Sequence, residues 1–534
     1  MGIPYYFYVL MKNYPRILHS TTPKRCTDFF MDFNGAIHHA ANMAFEADQD
    51  GMSCCDFDAQ VMEVTWKYLQ ECVSVADPSD MVHVCTDGVA PVAKMYQQRK
   101  RRYLSVWKNQ QLRHTPKWDR NCISPGTPFM CKLAAFMNQR IRDRDMKKQV
   151  SYFFSSADEE GEGEHKIFAR IATLPSTSHI IVHGLDADLI MLSLISHKPH
   201  IFLMREPTGN YKDMQTSDGF MYVEIDKLRV ALLQDLRIHY SWPVTQGMMD
   251  DIYCDAACKI IESYVTLCSL LGNDFLPHPI TLPLKKNGYE KLLLAASSHW
   301  GIHQDLILPN ATVNMPFLVD ILKSLADDED ASMMKSNEDY LKRRPFECKE
   351  DPLDPYPLLH KDPLCKAIYD NHPNKWRALY YKHLFFTRLH DTTVITSACK
   401  VFVQGLTWVY RYYKRLPKDP RWYYPYSYSP TLRDLANFTS GLSGEEASRL
   451  YNTFTTPANR GFVSPNLQLL CIMPLGSKDI LSKKVQDIMS APDSGVSHMF
   501  PTSFGIQTYA KGHLWECIPI LPALDIPLLE ACLT

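Results

Sequence analysis

A chain of 534 residues with 46% hydrophobic and 22% charged residues can bury a large core in more than one lobe, and is too apolar to be disordered. A formal charge of −2 excludes a basic nucleic-acid binder of the general kind, so any contact with a polyanion must come from local patches. No uncharged apolar run reaches the roughly eighteen residues that span a bilayer, the N-terminus lacks a signal-peptide layout, and sixteen cysteines show neither a C-x-x-C pair nor zinc-like spacing. The expectation is a soluble, non-secreted monomer with reduced thiols and no membrane contact, working in the cytoplasm, with the nucleus as an alternative.

In chain order, "DFFMDFNG" carries an apolar run into Asp32, residues 57–73 have helical spacing, and "MVHVCTDG" carries a second run into Asp87. Residues 128–144 are helical again, "HIIVHGLDADLIMLSL" runs into Asp186 and Asp188, and "HIFLMRE" is a fourth run. Alternating strand and helix patterns predict an α/β fold with a mostly parallel central sheet flanked by helices. Ligands in such folds bind outside the carboxyl ends of the strands, where Asp32, Asp87, Asp186 and Asp188 would fall.

The stretch "EEGEGEHKIFARI" sets Glu162 and Glu164 on either side of a glycine, directly before a helical pattern. An acidic helix N-terminus is the plainer reading, since carboxylates complement the helix dipole. The sharper one is metal, because these two join the four strand-end aspartates and Asp274 of "LGNDFLPH". Seven carboxylates at one rim repel one another without cations. Oxygen-only donors suit magnesium or manganese, and two such ions stabilise attacking water and leaving oxygen at a phosphodiester. Immediately after Asp87, Lys94, Gln98, Arg101 and Arg102 stand at i, i+4, i+7 and i+8 on one helical face. Alone, "QQRKRRY" would read as a solvated basic face or a nuclear localisation signal; beside a metal rim, its arginine forks suit phosphate oxygens.

These stretches together resemble the XRN family of 5′→3′ exoribonucleases. The opening "MGIPYYFYVLMKNYP" is similar to the family's Met-Gly-Val-Pro segment. "DFNGAIHHA", "DGVAPVAKMYQQRKRRY", "ISPGTPFM", "GEGEHKI", "GLDADLIML" and "LGNDFLPH" follow in the family's order, and "VQGLTWVYRYYKR", "DPRWYYPYSYSPTLRDL" and "NLQLLCIMPLGSKDIL" resemble its second conserved region. The resemblance implies a 5′-nuclease or PIN-like fold and processive hydrolysis of single-stranded RNA with a 5′-monophosphate, using Mg2+ or Mn2+, two ions in all. It implies that Asp32, Asp87, Glu162, Glu164, Asp186, Asp188 and Asp274 bind metal and catalyse, that Lys94, Gln98, Arg101 and Arg102 hold the terminal phosphate, and that His38 stacks on the leading base. Trp422 is the expected partner of that stack. The sequence departs from the pattern at Val92, Tyr96 and Lys100, where arginine, asparagine and serine are common, and at His183, where tyrosine is; no proposed phosphate donor is lost. A flap-type 5′ nuclease acting on DNA and a non-catalytic RNA-binding protein are the alternatives, weakened by the absence of a duplex-binding glycine signature and by the presence of every acid.

Composition divides the chain into a nuclease domain (1–320), a linker or surface connection (321–363) with little periodicity, and a mainly helical, aromatic-rich second lobe (364–534). In the second lobe, the spacing of Trp408, Tyr412 and Tyr413 predicts core packing rather than an RNA platform.

Overall fold

The structure is a computed structural model that describes all residues except 1, 4, 20, 48–53, 146–149, 208–217, 304, 417, 453–460 and 492–494. Its centre is a seven-stranded sheet: β1 (Leu18–His19), β2 (Asp28–Asp32), β3 (Met81–Cys85), β4 (Ser151–Ser155), β5 (Ile180–His183), β6 (Ile201–Arg205) and β7 (Met221–Glu224), in spatial order β1-β7-β6-β5-β2-β3-β4. The pairs from β6 through β5, β2 and β3 to β4 are parallel; β6–β7 and β7–β1 are antiparallel. The expected mostly parallel sheet is thus present, with an antiparallel edge from the short strands β1 and β7 and a parallel edge strand β4, none of which the sequence pattern marked.

Helices cover both faces. The first eight are α1 (Tyr6–Asn13), α2 (Phe33–Ala47), α3 (Cys54–Ala76), α4 (Val92–Leu112), α5 (Pro128–Asp145), α6 (Gly163–Thr173), α7 (Asp188–Ser196) and α8 (Ile225–Ile238). Strand side chains alternate between two cores: Phe30 and Val182 join a core with α1, α6, α7 and α8, while Phe29, Met31 and Ile181 join one with α2, α3 and α5. β2 pairs with β5 on one side and β3 on the other, and the chain leaves its carboxyl end for helices on opposite faces. Asp32, the last residue of β2, therefore stands at the topological switch point.

The first core continues through α9 (Asp255–Cys268), α10 (Glu329–Lys342) and α11 (Thr392–Tyr413) and includes Leu267, Met333, Trp408 and Tyr509. Residues 321–363, expected as a linker or surface connection, contain α10 and contribute Leu322, Met333 and Tyr340 to this core. In α10, Met333, Asn337 and Tyr340 bury one narrow stripe of an otherwise polar sequence, too narrow to show in the composition. Glu329 at its start accepts the backbone N–H groups of Leu432 (2.6 Å) and Arg433 (3.0 Å), so it secures a helix of the second lobe. A separate core forms where α12 (Pro465–Ile472) packs on α4 through Val92, Met95, Leu467 and Leu470. No described helix is long and apolar enough to cross a membrane.

Candidate metal and phosphate site

The carboxyl ends of β2, β3 and β5 bring the acids together. Asn34, in the first turn of α2, donates to Asp87 Oδ2 (2.9 Å) and accepts the Asp87 backbone N–H (3.1 Å). Asp87 Oδ1 in turn accepts the N–H of Gly163 (2.7 Å). A Cβ at Gly163 would lie 2.9 Å from the Cys85 carbonyl oxygen and 3.1 Å from Asp32 Oδ1, so the residue between the two glutamates must be glycine for α6 to start this close to the strands. Glu162 is the N-cap of α6 and Glu164 lies in its first turn, as a dipole reading would have it. Yet Glu162 makes no capping bond: its side chain pairs with Lys94 Nζ at 2.6 Å and accepts the Tyr412 hydroxyl.

Lys94 also reaches Asp274 (2.8 Å), and α4 thereby plants one buried cation among the acids. The expected phosphate donor thus lies in the acid cluster in this state. Burial opposes its charge, but Asp274 and then Glu162 lift its pKa above the ordinary value. One lysine does not neutralise the rim. Burial, then Asp87 and Asp186, push Asp32 far up; burial and then Asp188 do the same to Glu164. Burial, then Asp186 and Asp274, raise Asp188 to about 7. Carboxylate oxygens of Glu164, Asp186 and Asp188 lie within 4.8 Å of one another, and Glu164 Oε1 and Asp188 Oδ2 are buried without a hydrogen-bond partner among the described residues. Unsatisfied anionic oxygens at that spacing fit a hard divalent cation. A second group, Glu162, Glu164 and His165, shares Glu164, and burial keeps the His165 imidazole neutral and able to ligate. His165 was not among the residues expected from sequence, since it follows the acidic pair without metal-like spacing to another histidine.

Two tyrosines expected only as core turn out to hold the acids. Tyr413 donates to Asp188 Oδ1 (2.8 Å) and Tyr412 to Glu162, both from α11. Tyr412 stacks on Trp408 (5.0 Å between ring centroids), and Trp408 on Trp422 (4.9 Å). Trp422 also packs on Gly405, where a Cβ would lie 2.8 Å from its ring. Trp422 therefore ends an aromatic chain that reaches back to Glu162.

The rest of the basic face gathers elsewhere on α4. Arg102 is bonded to Ser124 Oγ (2.7 Å) and Met473 Sδ (2.9 Å), and burial, then Arg101, lower its pKa to about 10. His38 is exposed by surface area yet sits in a recess of α2, where desolvation and then the charges of Arg101, Arg120 and Arg102 lower its pKa to about 4. Gln98 keeps a buried carbonyl oxygen without a partner. Arg101, Arg102, Arg120 and a neutral His38 thus share one neighbourhood with an excess of positive charge.

Parallel strands ending in a carboxylate rim, a basic helix beside it and an aromatic helical lobe closing over it define an α/β chain of the divalent-cation, phosphodiester-handling kind. Residues 1–207 match the family described as XRN 5′-3′ exonuclease N-terminus, and residues 372–533 match the Xrn1 helical domain. The chain belongs to the XRN family. It is 26% identical to 5′-3′ exoribonuclease 1 of Homo sapiens over 99% of this chain and 34% of that protein, and 24% identical to 5′-3′ exoribonuclease 1 of Schizosaccharomyces pombe over 98% and 48%. A 5′-3′ exoribonuclease 2 homolog of Drosophila melanogaster is 22% identical over 98% of the chain and 70% of its own length. The chain thus spans between a third and a half of the first two relatives.

Proposed function

We propose that this chain is a divalent-metal-dependent 5′→3′ exoribonuclease that hydrolyses single-stranded RNA with a 5′-monophosphate, acting as a monomer. The observation that carries the reading is the largely buried acid cluster at the switch point, in which carboxylates outnumber Lys94, with Lys94 linking it to the arginine-bearing helix. Glu164, Asp186 and Asp188 would hold one Mg2+ or Mn2+, and Asp32, Asp87, Glu162 and Asp274 complete the rim. Bound ions would activate water and neutralise the leaving oxygen. The chain's own groups do the rest. Gln98, Arg101 and Arg102 grip the terminal phosphate, the neutral His38 ring stacks on the first base without adding charge, and Trp422 offers the opposite platform. Lys94 keeps Glu162 and Asp274 in place and stands ready to meet phosphate oxygens once ions take over its pairing role.

The test is a time course with labelled 5′-monophosphorylated RNA and DNA of one sequence, with magnesium or with chelator. Mononucleotides from RNA alone, and only with metal, are expected. Asp188→Asn should lower turnover at least a hundredfold while RNA binding persists, because α4 is untouched. Release from DNA at the same rate would favour a flap-type nuclease, and binding with no release in either case a non-catalytic RNA binder.

A further inference from the structure

On the face of α4 turned away from Arg102 lies a second cavity of about 960 Å3, at the upper end of the size range of small-molecule sites. Its walls come from the start of the chain, α4, the segment after Asp274, α10 with Asp339 and the following Arg343, residues 424–427 and residues 510–518. Asp274 and Gly2 form its inner end, and a Cβ at Gly2 would lie 2.6 Å from Asp188 Oδ1, so the cavity abuts the acid rim. The walls carry two kinds of chemistry. Lys100 and Lys511 face the cavity, and neither forms an ion pair among the described residues. Burial and then Lys511 bring Lys100 down to about 8, so Lys100 is a buried cation facing another cation; burial lowers Lys511 as well, against the pull of Glu516. Aromatic rings supply the rest: Tyr5 and Trp515 lie 5.7 Å apart at a tilt, with Lys285 Nζ 3.3 Å from the Tyr5 centroid. Glu516, an acid of this wall that offsets part of the Lys511 charge, also accepts from the Tyr5 hydroxyl (2.9 Å) and the Gly512 N–H (2.7 Å).

We propose that this cavity is a mononucleotide site, which takes the phosphate of a nucleoside 5′-monophosphate between Lys100 and Lys511 and its base against Tyr5 and Trp515. The inference rests on the nuclease reading for its physiological ligand, the product of each cut, and on the cavity alone for binding. A nucleotide leaving the rim past Asp274 enters a chamber that Lys100 and Arg101 line from α4, whereas Arg102 does not line it. Lys100 occupies a position where the resemblance leads one to expect serine, so the anion affinity is a property of this chain's own residues.

The experiment is calorimetric titration of the metal-free protein with AMP, adenosine and inorganic phosphate. Wild type should take up two AMP, one at Arg102 and one in the cavity. Lys100→Ser and Lys511→Gln should each lower the second affinity at least tenfold and leave the first, while Arg102→Ala does the reverse. Adenosine should bind the cavity at least tenfold more weakly than AMP. Rescue of affinity in Lys511→Arg shows that charge, not fold, was lost. One AMP per chain that only Arg102→Ala removes, or affinity unchanged in both lysine variants, overturns the cavity site. Because the readout needs no turnover, failure of the nuclease reading would appear separately, as absent RNA hydrolysis with AMP still held by Lys100 and Lys511.

Discussion

Tyr413 and Tyr412 show how single hydroxyls govern a carboxylate cluster. Each ring is fully buried in α11, and each hydroxyl ends on an acid of the rim, Asp188 and Glu162 respectively. An acid that accepts such a bond has one oxygen fixed in direction and the other left for a cation. Asp188 shows both, with Oδ1 bonded and Oδ2 bare. Partners that orient metal ligands in this way are worth about 10–100-fold in metal affinity or activity. Tyr413→Phe keeps the ring and its packing but frees Oδ1, so the expected result is a magnesium requirement raised at least tenfold with turnover recovered at saturating metal. An unchanged magnesium titration would reduce Tyr413 to a packing residue. The glycine of the "EGE" string is the other telling residue: the paired glutamates announced the rim, but the reason for the glycine, contact with the Cys85 carbonyl and Asp32, needs two strands and the start of α6 in place at once.

At the scale of the element, α4 serves three purposes along one face or another: Lys94 enters the rim, Arg101 and Arg102 surround His38, and Lys100 opens into the second cavity. On the proposed function, a 5′-monophosphate gains charge-assisted bonds from Gln98, Arg101 and Arg102, a 5′-hydroxyl leaves those donors without an anion, and a triphosphate or cap exceeds the recess. Four RNAs differing only at the 5′ end should be degraded with monophosphate well above hydroxyl and the other two resistant, and Arg101→Ala should narrow the gap between the first two. Equal degradation of all four by wild type would make α4 a general backbone-binding surface. The strands β2, β3, β5 and β6 and their terminal acids were legible in sequence because an apolar run stopping at an acid is a local pattern. Lys94's place among the acids was not, since helical spacing puts it on the same face as the arginines and only the approach of Asp274 separates them. The tyrosines of α11 read as core because burial and a bond to a distant acid leave the same aromatic spacing. β1, β4 and β7 were missed: the two- and four-residue strands β1 and β7 carry too few residues to establish a period, and the edge strand β4 buries only one of its five residues.

Taken as a whole, the molecule concentrates unfavourable charge at one end of its sheet and protects neutral imidazoles inside it. The first feature makes stability depend on cations: ions bound only by the folded chain stabilise it by about 2.7 kcal/mol at a hundredfold excess over the dissociation constant. Magnesium should therefore raise the midpoint of thermal unfolding, and Asp188→Asn should shrink that rise, whereas equal rises in both proteins would place the cation elsewhere. The second feature makes stability depend on pH. His83, in β3, is stacked between Phe30 (4.5 Å) and Phe153 (5.2 Å) of the neighbouring strands, is only 6% exposed, and keeps Nε2 without a partner. Burial, then Arg170, lower its pKa to about 4. Burial and then His39 lower His183 to about 3, so its 3.1 Å contact with Glu206 is a hydrogen bond rather than an ion pair. For a histidine whose folded pKa is depressed, the unfolded chain takes up the proton first as the solution is acidified. The stability contributed by neutral His83 is therefore complete above about pH 6.5 and is lost as the pH falls toward 4. At pH 5 the loss from this one group is about 2 kcal/mol. His83→Phe retains the three-ring stack and removes the proton site, so its urea midpoint should fall less than that of wild type between pH 8 and pH 5. The same fall in both proteins would mean that His83 is already protonated in the folded sheet, or reaches water there.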